Sequence, residues 1–137
     1  MYRRVVAYVV RDCALLVFDH RDFPEARTQV PAGTVEDDEE PASTAVREVL
    51  EETGVHAHVV RELGTTEAIA PRGEPRRNFF FELATDEQRE SWEHVVHGGG
   101  GDVGLVFLCR FVPLDPPPAL IADGDFLCEL SRPEASG

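Results

Sequence analysis

Apolar residues recur along the chain with two periods. Val5–Val10 and Ala14–Phe18 are nearly continuous apolar runs around a polar turn, Arg11-Asp12-Cys13, and predict two paired strands. Thr28–Pro31 then lead into a loop. After Pro41 the period changes. Ala42, Ala45, Val46, Val49 and Leu50 fall at i, i+3, i+4, i+7 and i+8, the stripe of a core-facing helix. Pro41 suits its first position and Gly54 its stop, which predicts a helix of about 13 residues. Alternation over His56–Thr66 predicts a strand, and Asn78–Leu83 another, with Phe79, Phe80 and Phe81 sending aromatic rings to both faces. Asp86–Trp92 predict a short helix opened by Thr85, with Gln88 completing a capping box. Val103–Val112 predict a strong strand, Pro113–Pro118 a stiff connector, and Ala122–Leu130 a second helix. No internal repeat interrupts the chain, and its 137 residues suit one α/β domain over 1–137.

Composition narrows the chemistry. Apolar residues make up 42% and charged residues 28%, which suits a folded core rather than a disordered tail. No apolar stretch nears the roughly 20 residues of a membrane span. Arg11 and Asp12 cut the first apolar run short of a signal-peptide core, so a cytoplasmic location is expected. There are 26 acidic and 13 basic residues, a net charge of −13, and every basic residue is Arg. Without Lys, a Schiff-base enzyme, a pyridoxal phosphate enzyme and a P-loop are excluded. The acidic balance argues against general nucleic-acid binding and leaves room for small phosphorylated ligands carried on a divalent cation. Cys13, Cys109 and Cys128 lie far apart and predict reduced thiols, not a zinc site or disulfides. His56 and His58 would share a strand face, and His94 and His97 one face of a helical turn; either pair could hold a metal, and solvated surface positions are the favoured reading.

The charge is concentrated. Between Glu36 and Glu52, eight carboxylates meet a single base, Arg47. On the predicted helix Glu48, Glu51 and Glu52 cluster about 130° from the apolar stripe, at roughly 100° per residue. Like charges at i+3 and i+4 destabilise a helix by about 0.2–0.5 kcal/mol per pair. Two readings stay open on spacing alone: a solvated acidic face, or a face held for a hard divalent cation.

The segment Gly33–Val55, GTVEDDEEPASTAVREVLEETGV, resembles the Nudix box, G-x5-E-x7-R-E-U-x-E-E-x-G-U with U aliphatic. Gly33, Glu39, Arg47, Glu48, Val49, Glu51, Glu52, Gly54 and Val55 fill all nine specified positions. The resemblance implies a single Nudix hydrolase domain with an α/β/α sandwich fold and a mixed β-sheet. It implies a hydrolase that cleaves a diphosphate linkage in a nucleoside diphosphate joined to another group, with Mg²⁺ or Mn²⁺ as cofactor. Its partners would be nucleotide-type small molecules; a homodimer is compatible with this reading. The alternative is a catalytically silent nucleotide-binding regulatory module, which usually carries a broken box. A calcium-buffering surface would need a D-x-[DN]-x-[DN]-G loop, which is absent.

By the same resemblance Glu51 and Glu52 are expected metal ligands, and Glu48 a further ligand or the base for the attacking water. The backbone carbonyl of Ala32 is expected to meet the metal, although many family members have Gly there. Arg47 is expected to orient a box glutamate, Gly33 to open the loop, and Glu39 to support the junction of loop and helix. Outside the box, Arg72, Arg76 and Arg77 in PRGEPRRN are candidates for gripping a phosphate or terminal group. Trp92 is a candidate for stacking on a base or for anchoring the core. The tract from His97 to Asp102 is a candidate lid or spacer. Glu93 and Asp102 are candidates for a carboxylate supplied from outside the box. Oxidised nucleoside triphosphates, nucleotide sugars, ADP-ribose, dinucleoside polyphosphates and capped RNA all suit such a box.

Overall fold

The turn Asp12-Cys13 closes the first hairpin with both residues in the left-handed region, φ 50° and 64°, the geometry of a two-residue hairpin loop. It joins β1 (Tyr2–Arg11) to β2 (Ala14–His20). The two strands pair near the turn, at Val10 with Leu15 and Arg11 with Ala14. Farther on, the segment before the helix runs between them. Gln29 bridges Phe18, and β3 (Ala32–Thr34) pairs antiparallel with Arg4–Val6 of β1. The start of the box is thereby wedged inside the sheet.

The computed structural model describes residues 2–69, 71–98 and 101–130. It adds β4 (His58–Ile69), β5 (Pro75–Ala84), β6 (Ser91–Val95), β7 (Val106–Pro113) and one helix, α1 (Pro41–Thr53). The seven strands form one mixed sheet in the order β4-β5-β1-β2-β7-β6, with β3 attached to β1. The pairing of β1 with β5 is parallel; the other ladders are antiparallel. Period-2 alternation along β1 and β5 supplies both layers of core. Val5, Ala7, Val9, Phe81 and Leu83 meet Ala45 and Val49 of α1. Val6, Tyr8, Leu15, Val17 and Phe80 meet Val30, Leu114 and Leu127 on the opposite face. No helix among the described residues is long and apolar enough to cross a membrane.

Two expected helices are corrected. Asp86–Trp92 are irregular until β6 begins at Ser91. Thr85 does accept the Glu87 N–H at 3.2 Å, but the Arg11 guanidinium takes the carbonyls of Glu87 and Arg89, and β6 is claimed by β7. His94 therefore lies on a strand, not a helical turn, with its ring centroid 5.2 Å from that of His97. Ala122–Leu130 yield one 3-10 turn, Leu127–Glu129. Asp123 sits at φ 66° and gives its carbonyl to the Tyr8 hydroxyl at 2.6 Å, which breaks the helical ladder there. The strand expected from Val103 starts at Val106, and β3 and β6 were not visible in the pattern.

Candidate active site

Helix α1 is placed by its ends. Pro41 occupies the first turn, and Gly54, at φ 77°, donates its N–H to Leu50 O at 2.9 Å. The last carbonyls are tied to β6 and the residues after it. Trp92 Nε1 donates to Thr53 O at 2.8 Å, and His97 N–H to Glu51 O at 3.0 Å, where His94 Nε2 also binds at 3.0 Å. Trp92 is thus an anchor for the helix end, packed against the α1 side of the core.

The helix is rotated relative to its apolar stripe. Leu50 is 39% exposed, whereas Glu52 is 8% exposed. A buried glutamate beside an exposed leucine runs against hydrophobic patterning, so another interaction sets this face. Glu52 accepts the Ala32 N–H at 3.1 Å, which pins the carboxyl beneath β3. The Glu48 carboxylate lies against Gly33, leaving no room there for a side chain.

Arg47 organises the other acids. Its guanidinium grips Glu39 through Nε at 2.6 Å and a terminal nitrogen at 2.9 Å. The other terminal nitrogen reaches Glu48 and Glu51, each at 3.1 Å. The Thr34 carbonyl accepts a further bond at 3.3 Å. Glu39 also accepts the Glu36 N–H at 3.1 Å, joining loop to helix. This fork holds the Glu39 carboxyl down at about 2. Burial pushes Glu48 up to about 7, against the pull of Arg47 and with the Glu51 charge adding to it. Burial first, then the Glu48 charge and more distantly Asp102, raise Glu52 well above the ordinary carboxylate range. Two carboxyls in contact in a desolvated site resist ionising together, and Arg47, shared with Glu39 and Glu51, offsets only part of that cost.

A pocket of about 380 Å³ opens over these groups. Ala32, Gly33, Arg47, Glu48, Glu51 and Glu52 line one side, Val96, His97 and Asp102 the other. The donor set is all oxygen, which fits a hard divalent cation. Among the described residues no three His, Cys, Asp or Glu side chains already converge on one point, and Glu51 is held by Arg47. Asp102 reaches the pocket; Glu93 does not, and is exposed with Arg21 at 3.6 Å. Arg72, Arg76 and Arg77 stand at the turn and start of β5, outside the pocket lining, with Arg77 paired to Glu67. Gly99 and Gly100 of the glycine tract lie outside the described residues. Sequence reasoning did not single out Val96, and it read Gly98 only as part of a candidate lid or spacer. Gly98, at φ 100°, packs against the Glu51 carboxylate, where a side chain would collide. Only the topology reveals that contact.

The chain matches the family model of the NUDIX domain over residues 1–119. It is 42% identical over 88 residues to mouse diphosphoinositol polyphosphate phosphohydrolase 3-alpha, and 41% identical over 88 residues to the human 3-beta protein. Each match takes in 64% of this chain and 51% of the relative, so the chain spans about half the length of the curated relatives it matches. Among solved structures it resembles an ADP-ribose pyrophosphatase from Streptococcus suis, with a TM-score of 0.66 at 18% identity, covering 97% of this chain and 93% of that one. A MutT NUDIX hydrolase from Burkholderia pseudomallei aligns with a TM-score of 0.62 at 22% identity, covering 96% and 98%. These likenesses agree on the α/β sandwich with a mixed sheet. With the unbroken box at the mouth of its pocket, the chain belongs to the Nudix hydrolase family.

Proposed function

We propose that this chain hydrolyses the diphosphate linkage of a nucleoside diphosphate joined to a further group, using Mg²⁺ or Mn²⁺. The observation that carries the reading is half-buried Glu48 in contact with buried Glu52 beside an open pocket, both carboxyls raised in pKa. Glu51, Glu52 and the Ala32 carbonyl would hold the cation. Glu48 serves with them, as a ligand or as acceptor of the proton from the attacking water. Both roles need its ionised form. The cation supplies charge neutralisation at two adjacent phosphates, which otherwise repel a nucleophile. Arg47 holds Glu48 and Glu51 in place from below rather than meeting substrate, because its donors are taken by Glu39, Glu48, Glu51 and Thr34. Asp102 adds negative charge across the pocket.

The names of the mouse and human relatives add diphosphoinositol polyphosphates to the substrate classes worth testing. The test is a release assay with Mg²⁺ across nucleoside triphosphates, nucleotide sugars, ADP-ribose, dinucleoside polyphosphates, capped RNA and a diphosphoinositol polyphosphate. Turnover that requires the metal supports the proposal. Binding without turnover of any member would favour a regulatory module, and full activity in excess EDTA would remove the metal from the account.

A further inference from the structure

Glu51 is held from the β6 side as well as from within the box. The chain that leaves β6 has a fixed base. Val96 N–H donates to Leu105 O at 2.9 Å, and Gly104 N–H to Val96 O at 3.1 Å. Leu105 N–H closes a turn on Asp102 O at 3.0 Å. From that base the chain reaches the last turn of α1. His97 N–H and His94 Nε2 both meet the Glu51 carbonyl at 3.0 Å. Gly98 follows and lies against the Glu51 carboxylate. That carboxylate also accepts one Arg47 nitrogen, at 3.1 and 3.3 Å to its two oxygens.

Two features make residue 98 a glycine position. Its φ of 100° lies in the left-handed region, where a side chain strains the backbone. The Glu51 carboxylate also fills the volume that a Cβ would need. Gly104, in the same tract, has the first feature without the second: φ is 90°, and a Cβ there would meet nothing within 4 Å. Backbone shape accounts for Gly104. At Gly98 the side chain of an acid in the pocket wall sets a further demand.

Resting on the reading above, in which Glu51 is a ligand of the cation, we infer that Gly98 is a positioning residue of the metal site, supplied from outside the box. By closing the space on its side of the Glu51 carboxylate, it keeps that group at the pocket that Glu51 lines. The tract that the sequence marks as a lid or spacer therefore begins as a fixed wall of the site. Supports of this kind, one layer behind the ligands, are worth about 10- to 100-fold in metal affinity.

The test is calorimetric titration of the wild type, Gly98→Ala and Gly104→Ala with Mn²⁺. Gly98→Ala should weaken Mn²⁺ binding by about tenfold or more. Gly104→Ala, which carries the backbone strain without the collision, should bind as the wild type does. Unchanged affinity in Gly98→Ala, or an equal loss in both variants, overturns the proposal. Melts in EDTA locate the collision. Gly98→Ala should melt below Gly104→Ala, and that extra loss should vanish when Glu51→Ala is added to each. A loss that persists without the Glu51 side chain places the collision elsewhere and overturns the proposal. If Gly98→Ala does not fold, recovery of the fold on adding Glu51→Ala supports the contact, and failure to recover contradicts it. A wild type that binds no Mn²⁺ ends the metal reading and this inference together. Wild-type binding that Gly98→Ala shares in full ends the inference alone.

Discussion

Gly33 and Glu48 occupy complementary space: the Glu48 carboxylate fills the volume where a side chain on residue 33 would begin. The first glycine of the box is therefore required by a side chain fifteen positions away, not by its own backbone angle, since φ there is not in the left-handed region. Gly33→Ala should drive the Glu48 carboxylate out of place. Displacements of about 1 Å in a reacting constellation cost on the order of 100-fold in rate. Turnover of Gly33→Ala should fall by about that factor while circular dichroism stays native. Wild-type turnover would show that Glu48 can shift without consequence.

Glu52→Gln should lower turnover by orders of magnitude with little change in fold. The amide keeps an oxygen that can accept the Ala32 N–H but is a poor ligand for a hard cation. The check is kcat against Mg²⁺ concentration, together with the far-ultraviolet spectrum. Ordinary turnover would mean that the ligand assignment is wrong.

The helix bearing these acids was legible to the residue. Pro41 and Gly54 mark its ends, and the nine box positions mark its chemistry. Its rotation was not. Stripe counting puts Leu50 inside and Glu52 outside, and the structure reverses both, because Glu52 is bound to a strand far from it in sequence. The misread helices fail for the same physical reason. Thr85 and Gln88 are valid local signals, but a guanidinium from β1 takes the carbonyls that a helix would use. Tertiary hydrogen bonds outweigh propensities worth only tenths of a kcal/mol, of order 0.5 kcal/mol per residue. The Arg72, Arg76 and Arg77 cluster illustrates a further limit: composition marks a basic loop without saying what each of its guanidinium groups faces.

Alanine at Arg72, Arg76 or Arg77 should leave kcat/KM for a nucleotide substrate nearly unchanged. None of the three lines the carboxylate pocket, and Arg77 is paired with Glu67. Steady-state kinetics of the three variants check this. A rise in KM with kcat and Mg²⁺ binding intact would bring the β5 turn into the substrate site.

The raised carboxyls predict an inverted pH response of stability in the absence of metal. Burial holds folded Glu48 at about 7, above its ordinary 4.5. A carboxyl raised on folding stabilises the protein when protonated. That contribution is full below 4.5 and is lost as pH climbs through about 7. His94, lowered chiefly by burial, works in the opposite sense, so the comparison must be made with Glu48→Gln, which leaves His94 in place. In EDTA the melting temperature of the wild type should fall relative to that of the variant between about pH 5 and about pH 8. A constant difference across that range would show that Glu48 titrates in its ordinary range.

The most direct test of a face held open for a cation is a set of four melts at mildly alkaline pH: wild type and Glu48→Gln, each in EDTA and in Mg²⁺. In EDTA the variant should be as stable as the wild type or more so, because it removes a half-buried charge next to Glu51 and Glu52. Mg²⁺ should raise the wild type by an amount set by RT ln(1 + [Mg²⁺]/Kd), and the variant by less. The contrary result is a clear drop in the metal-free variant with equal responses to Mg²⁺. That would make Glu48 a structural partner of Arg47 and leave the acidic face without a cation to hold.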